Sequence, residues 1–172
     1  MEKFDLYDKN RNKLNITINR GDKLPENTYR LVVHLIIFNS KGEMLIQKRH
    51  PNKKNWPSLW DISVGGCVTA GETSVEAMIR ETIEEIGIDL SNEIKRPIFT
   101  FNFHEGFDDI YIVNKDIDLS ILTLQENEVV DARWASIEEI CEMMRNNQFI
   151  IYHESFLQLL KDTRFSENIY IE

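Results

Sequence analysis

Cysteine is nearly missing from this chain: its 172 residues include two, Cys67 and Cys141. That excludes a disulfide framework and fits a reducing compartment. Long apolar runs are missing too. No stretch approaches the ~18 residues that cross a bilayer, and the opening MEKFDLYDKNRNK lacks the apolar centre of a secretory signal. Both absences lead to the expectation of a cytoplasmic protein with no membrane partner. Basic residues are the minority, 20 against 29 acidic. The resulting charge of −9 excludes sequence-blind nucleic-acid binding, which needs a basic footprint. Internal repeats, low-complexity tracts and linker-like stretches are absent as well. With 42% hydrophobic and 28% charged residues, the chain is composed as one domain with a substantial core.

What is present reads as a sequence of strands around one helix. EKFDLYD and KLNITINR flank KNRN and predict an N-terminal β-hairpin. RLVVHLIIF, rich in β-branched residues, predicts a buried strand; NSKGE turns the chain and MLIQKRH returns. PNKKNWPSLWDISVGG has two prolines, two tryptophans and no helical period, and predicts a long loop feeding a short strand. Residues 73–86 carry a helix with Gly87 as its stop. KRPIFTFNFHEG and DDIYIVNKDI predict two more strands, and LQENEVVDARWAS a loop and a last one. Ser136 caps IEEICEMMRNN, and HESFLQLLKDT is a final helix. The order gives an α/β class fold, an α/β/α or α+β sandwich.

The central helix holds a puzzle. On a helical wheel Val75, Ile79, Ile83 and Ile86 form one stripe with Thr82 beside them, while Glu81, Glu84 and Glu85 share another arc. A solvated acidic face would interleave Lys or Arg at i+4, and this arc does not. Like charges at that spacing repel, and anions at a helix C-terminus oppose the macrodipole. Three unfavourable choices in one place predict a countercharge from outside the chain. Hard divalent cations take oxygen ligands, and Mg²⁺ bridges carboxylates to phosphates.

The spacing around those acids is specific. Gly66 is followed after five residues by Glu72 and after seven more by Arg80-Glu81; Thr82, Ile83, Glu84, Glu85, Ile86, Gly87 and Ile88 complete it. This resembles the Nudix box, G-x5-E-x7-R-E-U-x-E-E-x-G-U with U a bulky aliphatic residue, across 66–88. Thr82, at the first U position, is the one departure. The resemblance implies a Nudix-type α/β/α sandwich with a mixed sheet. The expected layout is one domain, 1–172, with residues 1–28 as a β-hairpin extension and 29–172 as the core.

It also implies chemistry. Glu81, Glu84 and Glu85, with the backbone carbonyl of Gly65, would bind Mg²⁺ or Mn²⁺, which polarises a diphosphate and activates a water. Glu72 and Arg80 would pair and support the site. A carboxylate from outside the box often completes it as ligand or base; LQENEVVDARW offers Glu126 and Glu128, and Glu128 is preferred. Arg49, Lys53 and Lys54 are candidate phosphate contacts, and Trp56 or Trp60 a stacking or lining residue. The four histidines show no ligand spacing and read as structural or exposed. The expected activity is hydrolysis of a small-molecule diphosphate, such as a nucleoside diphosphate linked to another moiety.

Two alternatives stand beside it. FNSKGEMLIQKRHPNKKNWPSLWDISVGGCVTAGE also resembles isopentenyl-diphosphate isomerase, a relative that moves a double bond. Its catalytic cysteine aligns with Gly65, its neighbouring metal histidine with Cys67, and another metal histidine falls near Arg30, so those groups are lacking here. A non-catalytic nucleotide-binding Nudix module is the other; such modules usually lose box carboxylates, which are intact here. Family resemblance further suggests a homodimer, with the N-terminal hairpin either pairing between subunits or packing on its own domain.

Overall fold

The computed structural model describes residues 2–165; the ends of the single-domain span expected above, Met1 and 166–172, lie outside the described residues. The chain begins with the expected hairpin, β1 (Lys3–Tyr7) antiparallel to β2 (Lys13–Asn19). Asp8 builds its turn by accepting from the backbone N–H groups of Asn10 and Asn12, as short acidic side chains do in turns. The hairpin packs on its own domain. Phe4 and Leu6 are buried, and Tyr7 and Tyr29 exchange backbone hydrogen bonds of 2.8 and 2.9 Å.

The main sheet is built around β3 (Arg30–Phe38), whose β-branched run predicted a buried strand. On one edge it pairs in parallel with β8 (Gly106–Asn114), which also carries β7 (Phe99–Phe103) antiparallel. Its other edge is shared. β6 (Val64–Cys67) takes Val32–Leu35, while β4 (Met44–Arg49) meets β3 only at Phe38. β4 then diverges, bearing β5 (Trp60–Asp61) and β9 (Val129–Ala135) antiparallel. Between the diverging strands the buried Ser63 hydroxyl accepts from the Ile37 N–H and donates to the Leu45 carbonyl. These two bonds satisfy the backbone where regular pairing stops. The result is a mixed seven-stranded sheet that forks.

Alternation along β3 separates two cores. Leu31, Val33, Leu35 and Ile37 face the first helix, α1 (Ser74–Ile86), whereas Ile36 and Phe38 face α2 (Ile137–Arg145) and α3 (Glu154–Thr163). Helices on both faces of a mixed sheet make the expected α/β/α sandwich. Thr73 caps α1 reciprocally with Glu76, and Gly87 ends it at φ 74°, a left-handed conformation that favours glycine. Among the described residues no helix is long and apolar enough to cross a membrane.

The helix is rolled relative to the apolar stripe read from its sequence. Ala77, Met78, Thr82 and Ile86 are buried, and so is Glu85, while Ile83 is 47% exposed. The reason lies in β6, whose glycines leave room for acidic side chains on the inner side of the helix.

Candidate active site

Gly65 and Gly66 make β6 unusually thin. A Cβ on Gly66 would lie 2.0 Å from the Glu81 carboxyl carbon, and one on Gly65 would lie 2.4 Å from His34 Cδ2. Successive strand positions point to opposite faces. The absent side chain of Gly66 therefore admits a glutamate on the α1 face, and that of Gly65 admits a histidine on the other.

The three helix glutamates differ in environment. Glu84 is exposed, and its carboxylate accepts from Arg80 Nη1 at 3.1 Å. Glu81 is half-buried and accepts from the same nitrogen at 2.8 Å. Burial nonetheless raises the Glu81 carboxyl above its usual range, against the pull of Arg80. Glu85 is buried, and its Oε2 receives Gln47 Nε2 at 3.0 Å and the Gly65 N–H at 3.3 Å. Burial, reinforced by the charges of Glu81 and Glu128, pushes it up to about 8 against those hydrogen bonds.

Arg80 corrects the expectation that this arc lacks a countercharge within the chain. It pairs with Glu72 as expected, at 2.7 and 3.0 Å, but also holds Glu81, Glu84 and the Cys67 carbonyl. Glu72 is held low by Arg80 and Thr69, which overcome its burial. Glu85 receives none of this cationic charge directly. Among the described residues no three acidic, histidine or cysteine side chains converge on one point: Glu81 and Glu84 are drawn to Arg80, Glu85 to Gln47 and Glu128 to Lys53. Gln47 Oε1 is buried and has no hydrogen-bond partner among the described residues, a condition that calls for an explanation.

Glu128 reaches the same neighbourhood. Its loop is stitched to the end of α1 by the Thr123 N–H to the Ile86 carbonyl and the Gln125 N–H to the Glu85 carbonyl. The Glu128 carboxylate is ion-paired with Lys53, while Glu126 is exposed. Arg49 turns elsewhere: it donates to Asp61 at 3.2 Å and to the Asn55 carbonyl at 3.3 and 3.4 Å, bracing the loop before β5. Lys54 is exposed on that loop, and Trp56 is 56% exposed at φ 48°. Trp60 is half-buried, with the Arg133 guanidinium 5.0 Å from its ring centre. Of the three basic candidates, Lys53 is the one held against Glu128.

Three polar residues were missing from the sequence-based site: Gln47, His34 and Asp108. His34 Nδ1 lies 2.8 and 2.9 Å from the two Asp108 oxygens. Burial lowers its pKa, but Asp108, aided by Asp61 and Glu85, raises it overall. The available signal was local. Gln47 and His34 are polar residues inside apolar strand runs, and such positions need partners.

A sheet with helices on both faces, and an acid-bearing helix laid over a glycine pair at its fork, defines a Nudix-type domain. The chain belongs to the Nudix family: the NUDIX domain matches residues 28–157. It is 45% identical over 152 residues to an uncharacterised Nudix hydrolase of Listeria monocytogenes, covering 88% of this chain and 90% of that one. It is 27% identical over 134 residues to an isopentenyl-diphosphate Delta-isomerase of Salmonella typhi, covering 72% and 73%. The crystal structure of DR0079 from Deinococcus radiodurans superposes with a TM-score of 0.75 at 25% identity, covering 94% of this chain and 98% of that one. By family the chain is a Nudix hydrolase, a class with pyrophosphohydrolase-type reactions; the isomerases stand at lower identity.

Proposed function

We propose that this protein is a metal-dependent hydrolase that cleaves a diphosphate linkage in a nucleoside diphosphate joined to another moiety, or in a related compound. The observation that carries this is the buried Glu85 carboxyl, which has no cation of its own among the described residues and receives only the Gln47 amide and the Gly65 N–H, beside the unpartnered Gln47 oxygen. Burying a carboxylate without a cation is costly, and the carboxylates of α1 and the Gln47 oxygen are hard ligands suited to Mg²⁺ or Mn²⁺. Glu81, Glu84, Glu85, the Gly65 carbonyl and Glu128 are the groups that would hold the ion. When bound, it supplies charge neutralisation to the diphosphate and acidity to the attacking water.

The chain's own residues do the rest. Glu72 and Arg80 support the site by holding the box loop against α1. Glu128, on its loop beside Glu85, serves as ligand or as base toward the water. Lys53 and Lys54 take phosphate as point charges, Lys53 by exchanging Glu128 for it. Arg49 keeps the loop between β4 and β5 in shape, with phosphate contact a secondary role. The isomerase reading is disfavoured by His34, whose ring fills the space beside Gly65 that a cysteine side chain would need.

The test is incubation with Mg²⁺ or Mn²⁺ and a panel of diphosphates including isopentenyl diphosphate, with products followed by mass spectrometry. The expected outcome is cleavage of at least one panel member by the wild type and a loss of roughly 10- to 100-fold in Glu84→Gln, the order expected when the support of a metal site is removed. Isomerisation of isopentenyl diphosphate with nothing cleaved would overturn the proposal.

A further inference from the structure

Gln47 stands where an apolar side chain would serve the fold better. It lies on β4 two residues after Leu45, on the same face of the sheet, and is 3% exposed. Leu45 belongs to the apolar core beneath α1. A leucine or methionine at 47 would extend that core without leaving a polar atom inside it. The glutamine instead holds its Oε1 buried, with no partner among the described residues. An orphaned acceptor of that kind is costly and points to a donor from outside the chain.

The other end of the amide is engaged. Nε2 donates to Glu85 Oε2 at 3.0 Å, and the Gly65 N–H reaches the same oxygen at 3.3 Å. Gln47 belongs to the β4 branch of the fork and Gly65 to the β3–β6 branch. One carboxylate oxygen is thus held from both sides of the fork. Glu85 Oε1 receives no hydrogen bond among the described residues and is the oxygen left for an ion. A lysine at 47 would neutralise Glu85 outright, whereas an amide fixes it in place and leaves its charge available.

We propose that Gln47 is a positioning residue of the hydrolytic site: Nε2 fixes which Glu85 oxygen meets the divalent ion, and Oε1 accepts a hydrogen bond from a water held by that ion. The inference rests on the hydrolase reading above and adds to it the group that orients the water. The amide is pinned at Oε2, so its oxygen addresses a ligand of the ion rather than the ion itself. A water on a divalent cation is a stronger donor than bulk water, because the ion draws charge from it. Direction matters for this water, since attack on phosphorus runs in line with the bond that breaks. An amide oxygen takes the hydrogen bond but not the proton at neutral pH. Proton removal therefore falls to a carboxylate, and Glu128 is on the loop stitched to the end of α1.

The test uses Mn²⁺ as a spectroscopic stand-in for Mg²⁺. Glutamine labelled with ¹³C at Cδ marks Gln47, Gln125, Gln148 and Gln158, and Gln125→Ala removes the one whose backbone bonds to Glu85. Electron–nuclear double resonance then reads the distance from Mn²⁺ to the Gln47 carbon with Gln47 itself intact. A metal–oxygen bond of about 2.1 Å followed by a hydrogen bond of about 2.7 Å places that carbon beyond about 4 Å, whereas direct ligation would place it at about 3 Å. In Gln47→Met, which keeps the side-chain length, Mn²⁺ affinity is expected to fall roughly tenfold. The slowest bound water, followed by ¹⁷O relaxation, is expected to exchange about fivefold faster, the equivalent of one hydrogen bond. A purely structural Gln47 would change affinity and leave water exchange as it is. The proposal is overturned by a carbon at ligand distance, by bound Mn²⁺ with no coupling to that carbon, or by unchanged water exchange in Gln47→Met. The first two readings hold whether or not that variant folds. Each of these outcomes overturns this inference alone, whereas failure of Mn²⁺ to bind the wild type overturns the metal-dependent reading and this inference with it.

Discussion

Glu85 carries the sharpest consequence at the scale of a single residue. Its carboxyl has an ordinary value near 4.5 when exposed and is pushed up to about 8 by burial in the fold. Below 4.5 both folded and unfolded forms are protonated, and the residue has no effect on stability. Between 4.5 and 8 the folded form keeps a proton that the unfolded form releases, so stability falls as pH rises through that window. In chelator-treated protein, wild type should therefore lose stability relative to Glu85→Gln between pH 4.5 and 8, read by denaturant titration at several pH values. Adding Mg²⁺ at pH 8 should stabilise the wild type more than Glu85→Gln, which keeps the other groups that would hold the ion. Parallel stability curves for the two proteins would refute the buried, cation-seeking Glu85.

At the scale of elements, α1 and the loop before it are joined through one side chain. Arg80 binds Glu72, Glu81, Glu84 and the Cys67 carbonyl and is itself half-buried. Arg80→Ala leaves two partly buried carboxylates without a cation, a cost of about 2 kcal/mol, or roughly 6 °C in Tm for a chain of this size. A melt in the presence of chelator measures this. The same variant should gain more Tm from added Mg²⁺ than wild type does, since the ion then supplies neutralisation that Arg80 no longer gives. The glycine pair of β6 explains why this helix could be placed from its sequence but not rolled correctly. Periodicity locates an apolar stripe, yet which arc faces inward depends on the surface opposite. Here that surface lacks side chains, so Glu85 turns in and Ile83 turns out.

On the scale of the whole molecule, the N-terminal hairpin is tied to the core by a buried charge. Asp109 is fully buried and accepts from Arg11 in the hairpin turn, from Thr100 on β7 and from Ser74 at the start of α1. Arg11→Ala strands that carboxylate and should cost about 3 kcal/mol, near 9 °C in Tm. Adding Asp109→Asn to it should recover part of the loss, because the stranded charge is gone. Thermal melts of the single and double variants test both statements. The elements themselves were legible in the sequence, since each rests on local signals: β-branched runs, the Thr73 and Ser136 caps, Gly87, and the turn at KNRN. The box was legible too, because Gly66, Glu72, Arg80 and the glutamates lie within 23 residues and their spacing maps onto one loop and one helix face. What lay beyond reach was every contact made across the fold. His34 and Asp108 are 74 positions apart and meet because β3 and β8 run parallel; Gln47 finds Glu85 because β4 leaves β3 at the Ser63 fork. Local sequence determined which residues are the candidates for the chemistry, through the spacing of the box along one loop and one helix. Only the tertiary structure decided which of them are buried, and against what, because burial and electrostatic environment belong to surfaces assembled from distant segments.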